Sequence, residues 1–206
     1  SAFSVDSLPS ARAMRRPVKT QAVLLQAADA LAYNKGESVL QMFEQWIGSE
    51  TFRQGVLAYL ETHAWGNARG QDLWNALTKA SNVNVSAAMA SFLDQPGVPL
   101  VTVTVRPGGK VSLSQTRYAF AGLPAPQKQL WRIPVTLRYA TAGGIKQRTV
   151  LLEKPQLELS LAPGEELLWI HPNADERGYY RWSLDAAGLA RLTSARESLS
   201  LRERMG

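Results

Sequence analysis

At Val98 the spacing of apolar residues changes from three and four to two, and no single repeating architecture accommodates both periods. Before that point apolar side chains recur as stripes on helix faces. After it, Val101, Val103 and Val105 alternate with Thr102 and Thr104, and Pro107-Gly108-Gly109 makes a turn. The chain therefore reads as an α + β molecule in three parts: helical over residues 1–97, a β-sandwich over 98–185, and the beginning of a helical domain over 186–206. Its 206 residues are enough for a substantial core.

Within the helical part, Val23, Leu24, Ala27, Ala28 and Leu31 form a stripe behind a Thr20 N-cap. Tyr33-Asn34-Lys35-Gly36 then reads as a polar turn, with Tyr33 at the join and Gly36 free to adopt a backbone conformation closed to other residues. Val39, Leu40, Phe43, Trp46 and Ile47 mark the buried face of the next helix, which Gly48 ends. Ser49 is placed as the N-cap of a further helix, with Glu50 at its positive end and Phe52, Val56, Tyr59, Leu60 and His63 on one face. Two shorter helices follow, Gly70 to Ala80 and Ser86 to Leu93, stopped by Asp94-Gln95-Pro96-Gly97. Residues 1–20 have little periodicity, with Pro9 and Pro17 breaking any helix, and Ser10 to Val18 reads as a surface loop.

Seven strands are predicted in the second part: 98–105, 110–118, 130–140, 145–153, 156–161, 165–171 and 178–184. Turns at Gly143-Gly144 and Pro163-Gly164 separate some of them, and the set suggests a small sandwich. Leu189, Leu192, Leu199 and Leu201 then lie among Ser, Arg and Glu, a helical segment that ends before burying much.

The net charge of +6 is carried by the later parts, since residues 1–96 hold eight basic and eight acidic side chains. Beyond Arg15-Arg16 there is no dense basic run and no interleaved aromatic, so the charge reads as a solvated surface and not as a nucleic-acid interface. No apolar run reaches the ~20 residues of a membrane span. The first residues lack the basic and apolar regions of a signal peptide, so a signal would lie upstream, and the cellular location stays open.

Few residues combine into a reactive constellation. With no cysteine, a metal site would need histidines and carboxylates to converge, yet His63 and His171 fall in different parts and neither belongs to an H-E-x-x-H helix. His63 reads as a packed helix residue and His171-Pro172 as a strand-end turn. Glu165-Glu166 sits in a solvated turn, and Glu37 and Glu44 lie on the polar side of their helix. No nucleophile elbow and no phosphate-binding glycine loop occurs.

The segment Tyr33-Asn34-Lys35-Gly36 resembles the Tyr-x-Lys-Gly signature of the aminopeptidase N family of zinc metallopeptidases. Further segments resemble that family in order: Phe52-Arg53-Gln54-Gly55-Val56, His63-Ala64-Trp65-Gly66-Asn67-Ala68, Asp72-Leu73-Trp74 and Phe92-Leu93-Asp94-Gln95-Pro96-Gly97. Gln115-Thr116-Arg117-Tyr118, Trp131-Arg132-Ile133-Pro134-Val135 and Gly178-Tyr179-Tyr180-Arg181-Trp182 resemble strands of its sandwich domain, and Ser10 to Val18 resembles the bacterial approach to the tyrosine. The departures are Arg12-Ala13 where His-Pro or Arg-Pro is usual, Ala28-Asp29 where Phe-Asp is usual, and Arg69-Gly70 where a capping Thr or Ser is usual.

The resemblance implies a zinc-dependent hydrolysis of the first peptide bond of peptide substrates, in which Tyr33 hydrogen-bonds the oxyanion of the tetrahedral intermediate. It also implies that the zinc-binding motif precedes Tyr33 in the complete enzyme, so these 206 residues would hold no cofactor and be inactive alone. Their partners would be the upstream catalytic half and a downstream helical domain of the same polypeptide. Two other functions fit the residues: a non-catalytic scaffold of the same fold that has lost the metal, and a basic sandwich that binds anionic polymers.

Overall fold

The computed structural model describes residues 2–15, 30–121 and 129–205. Most of the stripe expected behind Thr20, and the Arg16-Pro17-Val18 and Ala28-Asp29 positions, lie outside them. The helical part comprises α1 (Ala2–Asp6), α2 (Ala30–Ile47), α3 (Ser49–Thr62), α4 (Gly70–Ser81) and α5 (Val85–Leu93). The strands are β1 (Pro99–Arg106), β2 (Lys110–Arg117), β3 (Ile133–Thr141), β4 (Gly144–Leu152), β5 (Gln156–Ser160), β6 (Trp169–His171) and β7 (Arg181–Leu184), followed by α6 (Ala186–Ser194). The expected α + β class and seven strands are present, although β6 and β7 are shorter than their apolar runs.

The strands form two sheets, ordered β5-β2-β1-β7 and β4-β3-β6. All pairings are antiparallel except β1 with β7, which run parallel. Val101 and Leu113 from the first sheet share one apolar core with Ile133, Leu137 and Leu152 from the second, and with Val39, Phe43, Leu77 and Phe92 from the helices. At the β1–β2 turn Gly109 has φ +70°, and a Cβ there would collide with the Ala162 carbonyl. The Gly109 carbonyl accepts the Leu161 N–H at 2.8 Å, tying the hairpin to the segment after β5.

Several local expectations are corrected. Residues 33–36 are not a turn: α2 runs through them, and the Gly36 backbone is helical. A Cβ on Gly36 would meet only the Met14 methyl at 3.6 Å, an ordinary contact. Glycine costs a helix interior about 1 kcal/mol relative to alanine, which the buried stripe of α2 outweighs. Ser49 is the first helical residue of α3 and not its cap; the cap position is Gly48, with φ 87° and no side chain to offer. Leu60 lies exposed, because α3 meets α4 through Gly55, buried against Leu77, and its apolar face is rotated toward Phe52 and Val56.

The N-terminal residues are a further correction, since a short helix, α1, forms where the prolines are expected to break any helix, and Asp6 and Ser7 are buried at its end. Another lies at the other end. Leu192 and Leu199 pack with Ala140 and Trp169, and Glu203 is buried beside Arg138. This C-terminal segment helps cover the outer side of β3, and both faces of that strand are buried.

Candidate functional site

Helix α2 sorts its residues by rotation. At 3.6 residues per turn, positions two apart lie about 200° apart around the axis. Val39, Met42 and Phe43 point into the core, whereas Tyr33, Asn34, Glu37 and Gln41 point out. Tyr33 is 71 % exposed. Among the described residues nothing accepts or donates a hydrogen bond at its hydroxyl, so the phenol is presented, not packed. Glu37 on the same face accepts from the Gln41 amide at 3.2 Å, in keeping with a polar helix side.

Lys35 lies on the opposite side, fully buried, and extends the apolar stripe by one turn at i−4 from Val39. Its Nζ stands 2.8 Å from Asp6 Oδ2, with both side chains wholly enclosed. Burial pulls the Lys35 pKa below its ordinary value; Asp6 acts against this, and Arg117 adds to it. The Asp6 carboxylate takes two further donors, the Gly97 N–H at 3.0 Å on Oδ1 and the Tyr179 hydroxyl at 3.0 Å on Oδ2.

Tyr179 is itself held: its ring stacks on Phe3 at 4.7 Å and meets the Phe92 edge at 6.5 Å. Its backbone N–H donates to Met42 Sδ at 3.3 Å, and burial raises the phenol pKa. The Asp6 cluster thus gathers α1, α2, the chain entering β1 and the chain entering β7 around one carboxylate. Met42 and Phe43 of α2 pack alongside it. Lys35 and Tyr179 fall within segments that resemble the family, but no motif singles out Asp6 or brings the three together. The available signal is a lysine on the apolar stripe, a position that demands a buried acid.

A second buried polar cluster surrounds His171, at the end of β6 as expected but enclosed and not a simple turn. His171 Nδ1 accepts the Asn173 N–H at 3.2 Å, and Nε2 lies 3.4 Å from Glu176 without a hydrogen bond to it; Glu176 accepts from Trp182 Nε1 at 2.9 Å. Glu203 accepts the backbone N–H groups of Asp175 and Ser200 and pairs with Arg138. Burial lowers the His171 pKa; Glu203 opposes this and Arg138 adds to it.

Burial therefore favours the neutral imidazole in the folded chain, and below about pH 6.5 the unfolded chain takes up a proton more readily than the folded chain. Stability should fall as the pH drops from about 7 to about 5.5, and His171→Gln should flatten that fall. Urea unfolding midpoints of both proteins at the two pH values measure it. Burial raises the Glu176 pKa, which acts in the opposite sense, favouring the folded chain as its carboxyl protonates. The comparison of the two proteins isolates the histidine.

His63 closes α3, its ring 5.3 Å from Tyr59. Glu165, with Lys146 at 3.4 Å, lies at the edge of a turn, and Glu166 is exposed. Arg69 offers no side-chain acceptor to cap α4; Asp72 compensates by accepting the Arg69 N–H at 2.8 Å. Among the described residues no three His, Cys, Asp or Glu side chains converge to hold a metal ion. The described residues thus do not fit a zinc site. No described helix is long and apolar enough to cross a membrane.

Residues 1–92 match the family model described as Peptidase family M1 domain. The whole chain is 34 % identical to "Aminopeptidase 2, mitochondrial" of Saccharomyces cerevisiae over 206 residues, covering 100 % of this chain and 21 % of that protein. "Aminopeptidase M1" of Arabidopsis thaliana is 33 % identical over 96 % of this chain and 23 % of its own length. "Probable aminopeptidase 1" of Saccharolobus solfataricus is 33 % identical over 92 % of this chain and 23 % of its own. The chain spans about a fifth of the length of these relatives.

Proposed function

The chain belongs to peptidase family M1, and from that membership we propose that it is the segment of a zinc-dependent aminopeptidase that supplies the oxyanion donor, Tyr33. One observation carries this reading. The phenol is 71 % exposed on a helix whose other side is locked into the core. A tyrosine kept for packing would bury its ring; here the ring is offered to whatever stands opposite.

In this proposal the α-amine end of a peptide lies across the outer face of α2. As the scissile carbonyl becomes tetrahedral, the Tyr33 hydroxyl donates to the oxygen that gains charge. Phenols as a class keep their proton at neutral pH, which is what such a donor needs. The donor strengthens as charge develops, so it lowers the barrier more than it tightens substrate binding. The zinc would be held by residues outside the described ones. Residues 1–97 would complete the catalytic domain, 98–185 would form its neighbouring sandwich, and 186–206 would lead into a helical domain.

The test compares the purified 206-residue chain with the complete protein on an aminoacyl amide whose leaving group is chromogenic. The complete protein should release the amino acid and lose that activity on chelation. The 206-residue chain should bind no stoichiometric zinc and release nothing. Turnover by the chain alone would contradict the proposal, and a complete protein without zinc or turnover would favour the scaffold reading.

A further inference from the structure

We infer that Lys35, held by Asp6, is the positioning residue for Tyr33: the buried ion pair fixes the rotation of α2 about its axis and so the direction of the phenol. This rests on the oxyanion role proposed for Tyr33. The two residues are two apart in one helix, so a side chain anchored at 35 sets the azimuth of the side chain at 33. Nothing on the outer side shares that task among the described residues, since Tyr33, Asn34, Glu37 and Gln41 are all exposed.

Farther along α2 the Met42 sulfur accepts the Tyr179 N–H at 3.3 Å and the Gln45 amide donates to the Ala174 carbonyl at 3.2 Å, whereas the turn that carries Tyr33 is held by the Lys35–Asp6 pair. Burial of Val39, Met42 and Phe43 rewards any rotation that keeps them covered, because the hydrophobic effect has no direction. A helix with its side chains is 10–12 Å across, so a turn of about 10° carries an atom at its rim by about 1 Å. A shift of that size in a reacting group costs as much as ~100-fold in rate. The Lys35 ammonium, 2.8 Å from the Asp6 carboxylate and 5.6 Å from the Tyr179 ring centre, is enclosed away from water, where the attraction of an ion pair falls steeply as a turn of the helix lengthens it.

The anchor is also fixed at its far end. Asp6 is held by the Gly97 N–H and by the hydroxyl of Tyr179, whose ring is clamped between Phe3 and Phe92. A leucine or methionine at 35 would continue the stripe without a desolvation cost. The charged pair is justified by what it locates.

The experiment uses the complete protein and three variants: Asp6→Asn with Lys35→Met, Tyr33→Phe, and all three together. The paired change removes both charges at once, and the asparagine side chain would keep an acceptor for Gly97 and an amide for the Tyr179 oxygen. Removing a buried pair together is often close to neutral in stability. The paired variant should fold and keep its zinc content and KM, while kcat falls about tenfold or more. Adding its two changes to Tyr33→Phe should lower kcat no further.

Losses that multiply, or a paired variant with full kcat while Tyr33→Phe is impaired, would overturn the positioning role and leave the Tyr33 role standing. Full kcat in Tyr33→Phe would instead remove the site itself. If the paired variant does not fold, Asp6→Asn alone decides. Amide hydrogen exchange across residues 33–40 of the zinc-free protein should then quicken about tenfold, and kcat should fall. An unchanged kcat in that variant overturns the inference.

Discussion

Asp6→Ala is expected to destabilise the purified chain by about 3–5 kcal/mol, the usual cost of leaving one charge of a buried pair without its partner. That cost applies because both side chains are fully enclosed, so water cannot replace the lost carboxylate without opening the core. The same substitution strips the acceptor from the Gly97 N–H and the Tyr179 hydroxyl. A domain of this size has roughly 5–15 kcal/mol in hand, so the loss is a large share of the total.

Exposed pairs in the same chain give the contrast. Arg53–Glu50 on α3 is formed across one helical turn, yet both partners are open to water, and Glu50→Gln should leave the midpoint nearly unchanged. Urea unfolding midpoints for wild type, Asp6→Ala and Glu50→Gln measure the difference. An Asp6→Ala midpoint within the range of Glu50→Gln would mean that Lys35 is not dependent on Asp6.

Much of the fold is legible in the sequence because its signals are local. Seven strands follow from period-two patterns bounded by glycine and proline, and β1 to β5 appear within a few residues of their expected limits. The shortened β6 and β7 show where an apolar run is buried without pairing: Gly178, Tyr179 and Tyr180 are core residues, yet β7 starts only at Arg181. The proposal for Tyr33 starts from a short motif, but Gly36 within that motif misleads, because a glycine marks a turn only when tertiary burial does not hold the helix through it.

Asp6 is illegible for a different reason. Nothing local separates a buried aspartate in a five-residue helix from a solvated one; its partners are 29, 91 and 173 positions away. Half of the pair can be read. Positions 35, 39 and 43 fall at i, i+4 and i+8, so the apolar face of α2 contains a lysine. Sequence periodicity can thus reveal that a buried charge needs a partner, and only the packing identifies it. The same holds at the C-terminus, where Leu192, Leu199 and Glu203 become buried through contacts with β3 and β6 that no local pattern records.

The central claim is that the Tyr33 hydroxyl stabilises charge on the reacting oxygen. Removing that hydroxyl leaves the ring and the helix unchanged, because the side chain is exposed and makes no hydrogen bond among the described residues. Folding should therefore be unaffected, with a midpoint shift within about 0.5 kcal/mol. Loss of one such donor typically costs ~3 kcal/mol in the barrier, about a hundredfold in rate. Since the donor acts mainly after charge has developed, the loss should fall on kcat and leave KM nearly constant. The decisive measurement is kcat and KM for Tyr33→Phe in the complete zinc-loaded protein, with metal content and unfolding midpoint determined on the same sample. A fall in kcat of about a hundredfold, at unchanged KM, zinc content and midpoint, is the predicted result. Turnover within a factor of about two of wild type would contradict it, because an oxyanion donor cannot be removed at so small a cost.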